Sequence, residues 1–231
     1  MKTPFLIALA AGVLSLLIAF VPVLQHMFGA RQPTTGAAPA SGTPWQVALP
    51  GPGQASVFGL SLPGSTLAQA RQRWSDSLKL ALMAERDGPV VLEGYLENFE
   101  AGGVSGRLLL VFDSPAEALA RWRERLPGTP IASGGRQHAL TQAAMDELAA
   151  SPLVGLSFIP AAQLDAQVLG ARFGAPAERI ASGDRLEHWL YPALGLAVVL
   201  DAKGRDVLQY VAPADFERRL AAPLRSAKPA N

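Results

Sequence analysis

The stretch "VVLEGYLENFEAGGVSGRLLLVF", residues 90–112, decides how the chain is read. Val91, Glu93, Tyr95 and Glu97 alternate with Leu92, Gly94 and Leu96, and Phe99 follows, the period-two pattern of a two-faced strand. The glycine-rich "EAGGVSG" separates this run from a second apolar run, which is a hairpin signal. Strands joined by so short a loop pair antiparallel. The sequence therefore predicts strands at 90–98 and 106–112, preceded by a third at 78–83. The same alternation puts Glu93 and Glu97, with Glu100 just beyond, on a solvated face. Two carboxylates at a set separation can serve acid–base chemistry, but a wet strand face produces this spacing without any.

Helices flank the meander. Residues 65–74 carry Leu67, Ala70 and Trp74 at helical spacing, with Ser65 or Gly64 as the cap. "SPAEALARWRERL" after the third strand has Ser114 as cap, Pro115 at the first helical position and Glu117 closing a capping box. Leu119, Trp122 and Leu126 form its buried stripe, so Arg121, Arg123 and Arg125 read as a solvated helix face rather than a binding patch. A shorter helix, 142–150, starts at the cap Thr141.

The second half repeats this plan. "VFGLSLPGSTLAQA" at 57–70 aligns with "LVGLSFIPAAQLDAQ" at 153–167, sharing Gly-Leu-Ser, a proline and a leucine. A helix ending in "RFGAP" follows, stopped by Gly174 and Pro176. Strands at 185–191, 194–200 and 206–211 come next, with "DAKG" at 201–204 as a turn that places Gly204 at positive φ. Helix residues Leu164, Val168, Leu169 and Phe173 are expected to cover a sheet face that includes Trp189 and Tyr191.

These residues, a Gly-Leu-Ser start, a helix ending in Phe-Gly-x-Pro, Trp189-x-Tyr191 and the strands around "LDAKG" and "VLQYV", resemble the SmpA/OmlA-type fold. That fold occurs in the small lipoprotein of the outer-membrane barrel-assembly machinery and, in tandem, in β-lactamase inhibitory proteins. The likeness runs mainly over 153–211 and more faintly over 57–113. It implies α+β units used for protein–protein contact, without enzymatic activity. The lipoproteins attach lipid through a cysteine and the inhibitors carry cysteines, whereas this chain has none, and no inhibitor contact residue transfers.

Ahead of this body, residues 4–24, "PFLIALAAGVLSLLIAFVPVL", run 21 positions without a charge. As a helix they would span roughly 31 Å, close to the hydrocarbon thickness of a bilayer. Lys2 and the terminal amine precede the run while His26 and Arg31 follow it, a slight bias toward a cytoplasmic N-terminus. A cleaved signal peptide is the rival reading, but its apolar region is shorter, and the best cleavage site, Ala38-Pro39-Ala40, lies far downstream. From 32 to 54, five prolines and four glycines in 23 residues predict a semi-extended tether.

The expectation is thus an α+β protein: a transmembrane helix followed by helices packed on antiparallel sheet in a two-copy helix-plus-three-strand repeat. The divisions are an anchor at 1–31, a periplasmic tether at 32–54, a first repeat at 55–150, and a second repeat with the C-terminal tail at 151–231. Anchoring places it in the inner membrane as a single-pass protein with a periplasmic body. The function this suggests is a non-enzymatic protein-interaction or scaffolding module of the bacterial envelope. The alternative is a hydrolase or transferase acting on envelope polymers.

Composition narrows the chemistry. A net charge of +1 does not favour nucleic acid. Without Cys there is no disulfide framework, thiolate metal site or Cys nucleophile. His188 with Ser157 or Ser182 and Asp184 is a conceivable triad, but no Gly-x-Ser-x-Gly elbow is present. His26, His138 and His188 lack metal-ligand spacing. The loops "AGGVSG" and "ASGG" lack a following phosphate-binding lysine. No catalytic, cofactor-binding or metal residue is assigned, no cofactor is expected, no small-molecule ligand is identified, and the expected partners are a membrane and an envelope protein.

Overall fold

The structure, a computed structural model, describes residues 42–85, 88–131 and 134–226. In chain order its strands are β1 (Ala55–Val57), β2 (Leu60–Leu62), β3 (Lys79–Ala84), β4 (Val90–Ala101), β5 (Val104–Phe112), β6 (Gly128–Pro130), β7 (Arg136–Ala139), β8 (Leu153–Pro160), β9 (Glu178–Ser182), β10 (Leu186–Tyr191), β11 (Leu196–Asp201) and β12 (Val207–Val211). The helices are α1 (Leu67–Trp74), α2 (Ala116–Arg125), α3 (Gln142–Glu147), α4 (Ala166–Phe173) and α5 (Ala222–Ser226). Ten strands form one antiparallel sheet in the order β6-β7-β3-β4-β5-β8-β12-β11-β10-β9, and β1 and β2 make a separate hairpin.

The α+β expectation is therefore corrected: the chain is mostly β, with 40% of the structure in strands and few, short helices. The two-copy repeat fails at the alignment that suggested it. Residues 57–62 belong to the small hairpin outside the main sheet, whereas the matching Leu153–Pro160 is a central strand buried along its whole length. A strand covered on both faces reads as a continuous apolar run, and that run mimicked the hairpin's Val-Phe-Gly-Leu-Ser. β8 pairs with β5 on one side and β12 on the other, so both halves contribute to a single sheet. The approach at this junction is close. A side chain at Gly106 would put its Cβ 2.4 Å from the Ile159 carbonyl oxygen.

The first sheet face carries Leu82, Leu92, Leu108, Phe158, Leu208 and Tyr210, and is packed against the β1–β2 hairpin, α1, α2 and α4. Phe58 sits at its centre, with edge-on ring contacts to Phe99 at 5.0 Å, Phe158 at 5.5 Å and Tyr210 at 6.1 Å. Phe99 joins the even-numbered residues of β4 because a register shift between Leu96 and Phe99 inserts an extra residue. The second face carries Met83, Val91, Leu109, Val111, Val199 and Val207, in one cluster with Phe216, Leu220 and Leu224 from the C-terminal helical segment.

Several local expectations shift in detail. Thr66, not Ser65 or Gly64, caps α1, exchanging bonds with Gln69 in a capping box. Ser114 does not cap α2; its hydroxyl lies 2.6 Å from that of Ser151. On α4 Leu169 is fully buried, but Val168 is 44% exposed.

The anchor expected at 4–24 lies outside the described residues, and among those described no helix is long and apolar enough to cross a membrane. From Gly42 the stretch predicted as tether lies on the body. Pro44 is buried, with its carbonyl accepting from the Tyr210 hydroxyl at 2.6 Å. The Arg172 guanidinium sits 5.7 Å from the Trp45 ring, and Ala48 bridges Ser56. Gly102, in the left-handed region at φ +57°, allows this strap to pass, since a Cβ there would lie 2.4 Å from the Thr43 methyl group. Tyr210→Phe leaves the Pro44 carbonyl without its donor, which is expected to cost about 1–2 kcal/mol in a chemical melt. In limited proteolysis Tyr210→Phe is expected to open new cuts between 43 and 54 that the parent resists.

Candidate functional site

The polar groups that stand out are buried in the second sheet face. Glu93 on β4 faces Ala81 on β3 and Val111 on β5, and is 8% exposed. The solvated face expected for it is corrected. A sheet this wide is covered on both sides, so Glu93 alternates with the first-face core and still ends up beneath apolar neighbours. Loss of water pushes its carboxyl up to about 8, so it is protonated and neutral over most of the physiological range.

Two residues along, Tyr95 is pushed up to about 12 by burial, with Glu97 adding to the rise and Arg107 opposing it. Lys79, directly across from Tyr95, pairs with Glu97 at 3.2 Å. Glu97 thus belongs to a charged rim beside the buried Glu93, while Glu100 lies beyond the bulge, exposed and opposite Ser105.

Further along the sheet, Ser157 on β8 lies between Leu109 and Gln209, and its buried hydroxyl has no hydrogen-bond partner among the described residues. His188 on β10 faces Val199 and Ile180 and is 2% exposed, with Nδ1 unpartnered among the described residues. Burial pushes the imidazole pKa down, favouring the neutral ring. β12 and β11 separate β8 from β10. At about 4.8 Å per strand, Ser157 and His188 are at least about 14 Å apart, far beyond proton-transfer reach. Ser182 pairs with Leu186, and Asp184 is an exposed turn residue. The structure does not assemble the triad.

The remaining candidates have structural positions. His138 is buried on β7, its Nδ1 2.9 Å from the Leu126 carbonyl oxygen. His26 lies outside the described residues. Arg121 pairs with Glu147, Arg125 lies over Trp122 at 5.6 Å, and Arg123 is exposed. Among the described residues no group of three His, Cys, Asp or Glu could hold a metal ion.

Sequence reasoning missed the acidic turn linking β11 to β12. Buried Asp206 accepts from the backbone of Asp201 at 2.9 Å and Leu164 at 2.6 Å, while Asp201 accepts from Lys203 at 3.0 Å and from Arg185 at 2.6 Å. These carboxylates hold the "DAKG" turn, and Gly204 is not at positive φ. Asp at both ends of a short loop was the signal that could have found it.

A shallow depression of about 500 Å³ lies against the start of α1, lined by Gly59, Ser61, Ser65, Gln69 and Arg73 among others. Its amides are committed: Ser61 to Ser65 Oγ, Thr66 and Gln69 to each other's side chains, and Leu67 and Ala68 to carbonyls at 151 and 149. An anion there would have to displace these bonds.

The buried imidazole gives a pH test. Below about 6.5 the unfolded chain takes up a proton that native His188 resists, so this residue lowers stability as pH falls. His188→Leu removes the unpartnered nitrogen and is expected to stay within about 1 kcal/mol of the parent at pH 7.5. At pH 5 it should be the more stable of the two. Urea melts at both pH values check this, and equal pH dependence would exclude His188 as the source.

No protein-family model, curated protein or solved structure matches the chain. The described residues define a mostly-β protein built on one wide antiparallel sheet, with its buried polar groups spread along a face rather than gathered in a cleft.

Proposed function

We propose that the chain is an inner-membrane-anchored periplasmic interaction or scaffolding module of the bacterial envelope. The observation that carries this reading is the end of the sheet at β9. Among the described residues this strand has a neighbour on one side only, and Arg179 and Ala181 are exposed. Open strand edges accept further strands through main-chain hydrogen bonds. Support for the location comes from the uncharged run at 4–24 and its flanking charges. The resemblance of 153–211 to SmpA/OmlA-type proteins supports a role in protein contact.

The test uses the full chain in intact cells. A photo-crosslinking side chain at Ala181 is expected to give discrete adducts, and one at exposed Glu117 on α2 none. The protein should stay with the inner membrane through carbonate washing. Release by carbonate, or adducts from both positions alike, would overturn the reading.

A further inference from the structure

The two ends of the sheet are built differently. β6 closes one end with three residues, one of them Pro130, which has no amide to donate. β9 at the other end has five residues and no proline, so it is open to pairing along its length. Exposed edges are normally guarded by unpaired charge. Here the charges are already engaged within the chain. Glu178 accepts from Arg225 at 3.1 and 3.2 Å, and Arg179 lies 4.1 Å over the Trp189 ring and 3.9 Å from Glu187.

We infer that β9 is a homotypic interface, pairing antiparallel with β9 of a second copy about a twofold axis at Ile180. This rests on the interaction-module reading above and specifies its partner. The sequence is compatible with itself in that register. Ile180 meets its own counterpart, on the face where it already packs against the second-face cluster. Arg179 falls opposite Ala181 and Glu178 opposite Ser182, so no like charges sit directly opposite, and the two Arg179 side chains, on a diagonal, are each held over their own Trp189. Other registers lose this match, since a twofold at Arg179 sets two guanidinium groups together. Five residues of pairing make a small contact, below what holds freely diffusing proteins together. Anchoring in a shared membrane raises the effective concentration and makes such a contact sufficient.

The chain has no Cys, so a single introduced thiol reports unambiguously. In native membranes containing the full chain, Ile180→Cys is expected to form a disulfide dimer at twice the 24.3 kDa chain mass on mild oxidation. Ser182→Cys is expected to stay monomeric, because its two copies would sit about 13 Å apart along the strands. Adding Ala181→Lys to Ile180→Cys sets a lysine against Arg179 twice per dimer, and the dimer yield should fall about tenfold. Equal crosslinking of both single-Cys variants means random collision and overturns the register. An Ile180→Cys adduct of another mass means a different protein holds the edge; that overturns the homotypic pairing and leaves the interaction-module reading standing. No crosslink from Ile180→Cys, in membranes where the Ala181 photoprobe still gives adducts, also removes the homotypic pairing alone. Silence from both probes removes the two readings together.

Discussion

The folded protein is expected to lose stability as pH rises from about 4.5 to 8, and Glu93→Gln is expected to remove most of that loss. The native carboxyl is pushed up to about 8 by burial from an ordinary value of 4.5. Between these values the native state holds a proton that the unfolded chain releases. Stability therefore falls as pH climbs through the window, and the contribution is intact below 4.5. Each pH unit crossed costs about 1.4 kcal/mol, so the whole window is on the order of 5 kcal/mol. The charged groups on the same face, Lys79, Glu97 and Arg107, lie toward the rim beside Tyr95, and Lys79 is held by Glu97. Gln keeps the shape and cannot ionise, so urea melts of parent and variant should converge near pH 4.5 and separate by several kcal/mol at pH 8.5. Parallel curves would mean water reaches the carboxylate.

Trp189→Ala is expected to cost about 3–5 kcal/mol. The indole is 4% exposed in the first-face core, between Arg179 on β9 and Val198 on β11. Its loss leaves a cavity beside Tyr191, whose hydroxyl reaches the Gly174 carbonyl at 3.3 Å and whose ring lies 5.5 Å from Phe173. Arg179 would also lose the ring it covers. Trp189→Phe should recover most of the stability, because its ring fills part of the same space. A melt showing less than about 1 kcal/mol for Trp189→Ala would mean that this end of the sheet contributes little to the cooperative unit.

The candidate site was legible in its residues and misread in its setting. Alternation correctly put Glu93, Tyr95 and Glu97 on one side of β4. Which side faced water could not be read there, since the second-face cluster includes Phe216, Leu220 and Leu224, more than a hundred residues away. His188 and Ser157 were visible as candidates, but their separation depends on the strand order β8-β12-β11-β10.

What the sequence determined by itself is local. The glycine-rich loop joins β4 to β5, helical spacing begins α2 directly after Pro115, which the structure places at the cap rather than inside the helix, and Gly174 and Pro176 stop α4. These follow from φ preferences and side-chain period, which act over a few residues. What only the tertiary structure decided is pairing over distance. β8 lies between β5 and β12, strands about 50 residues away on either side, turning two expected α+β units into one sheet. Side-chain period shows that a strand has an apolar face but not which strand lies beside it. Backbone hydrogen bonds are the same for every neighbour, so the choice falls to packing contacts such as those at Gly106, Phe158 and Tyr210, which exist only once the chain is assembled.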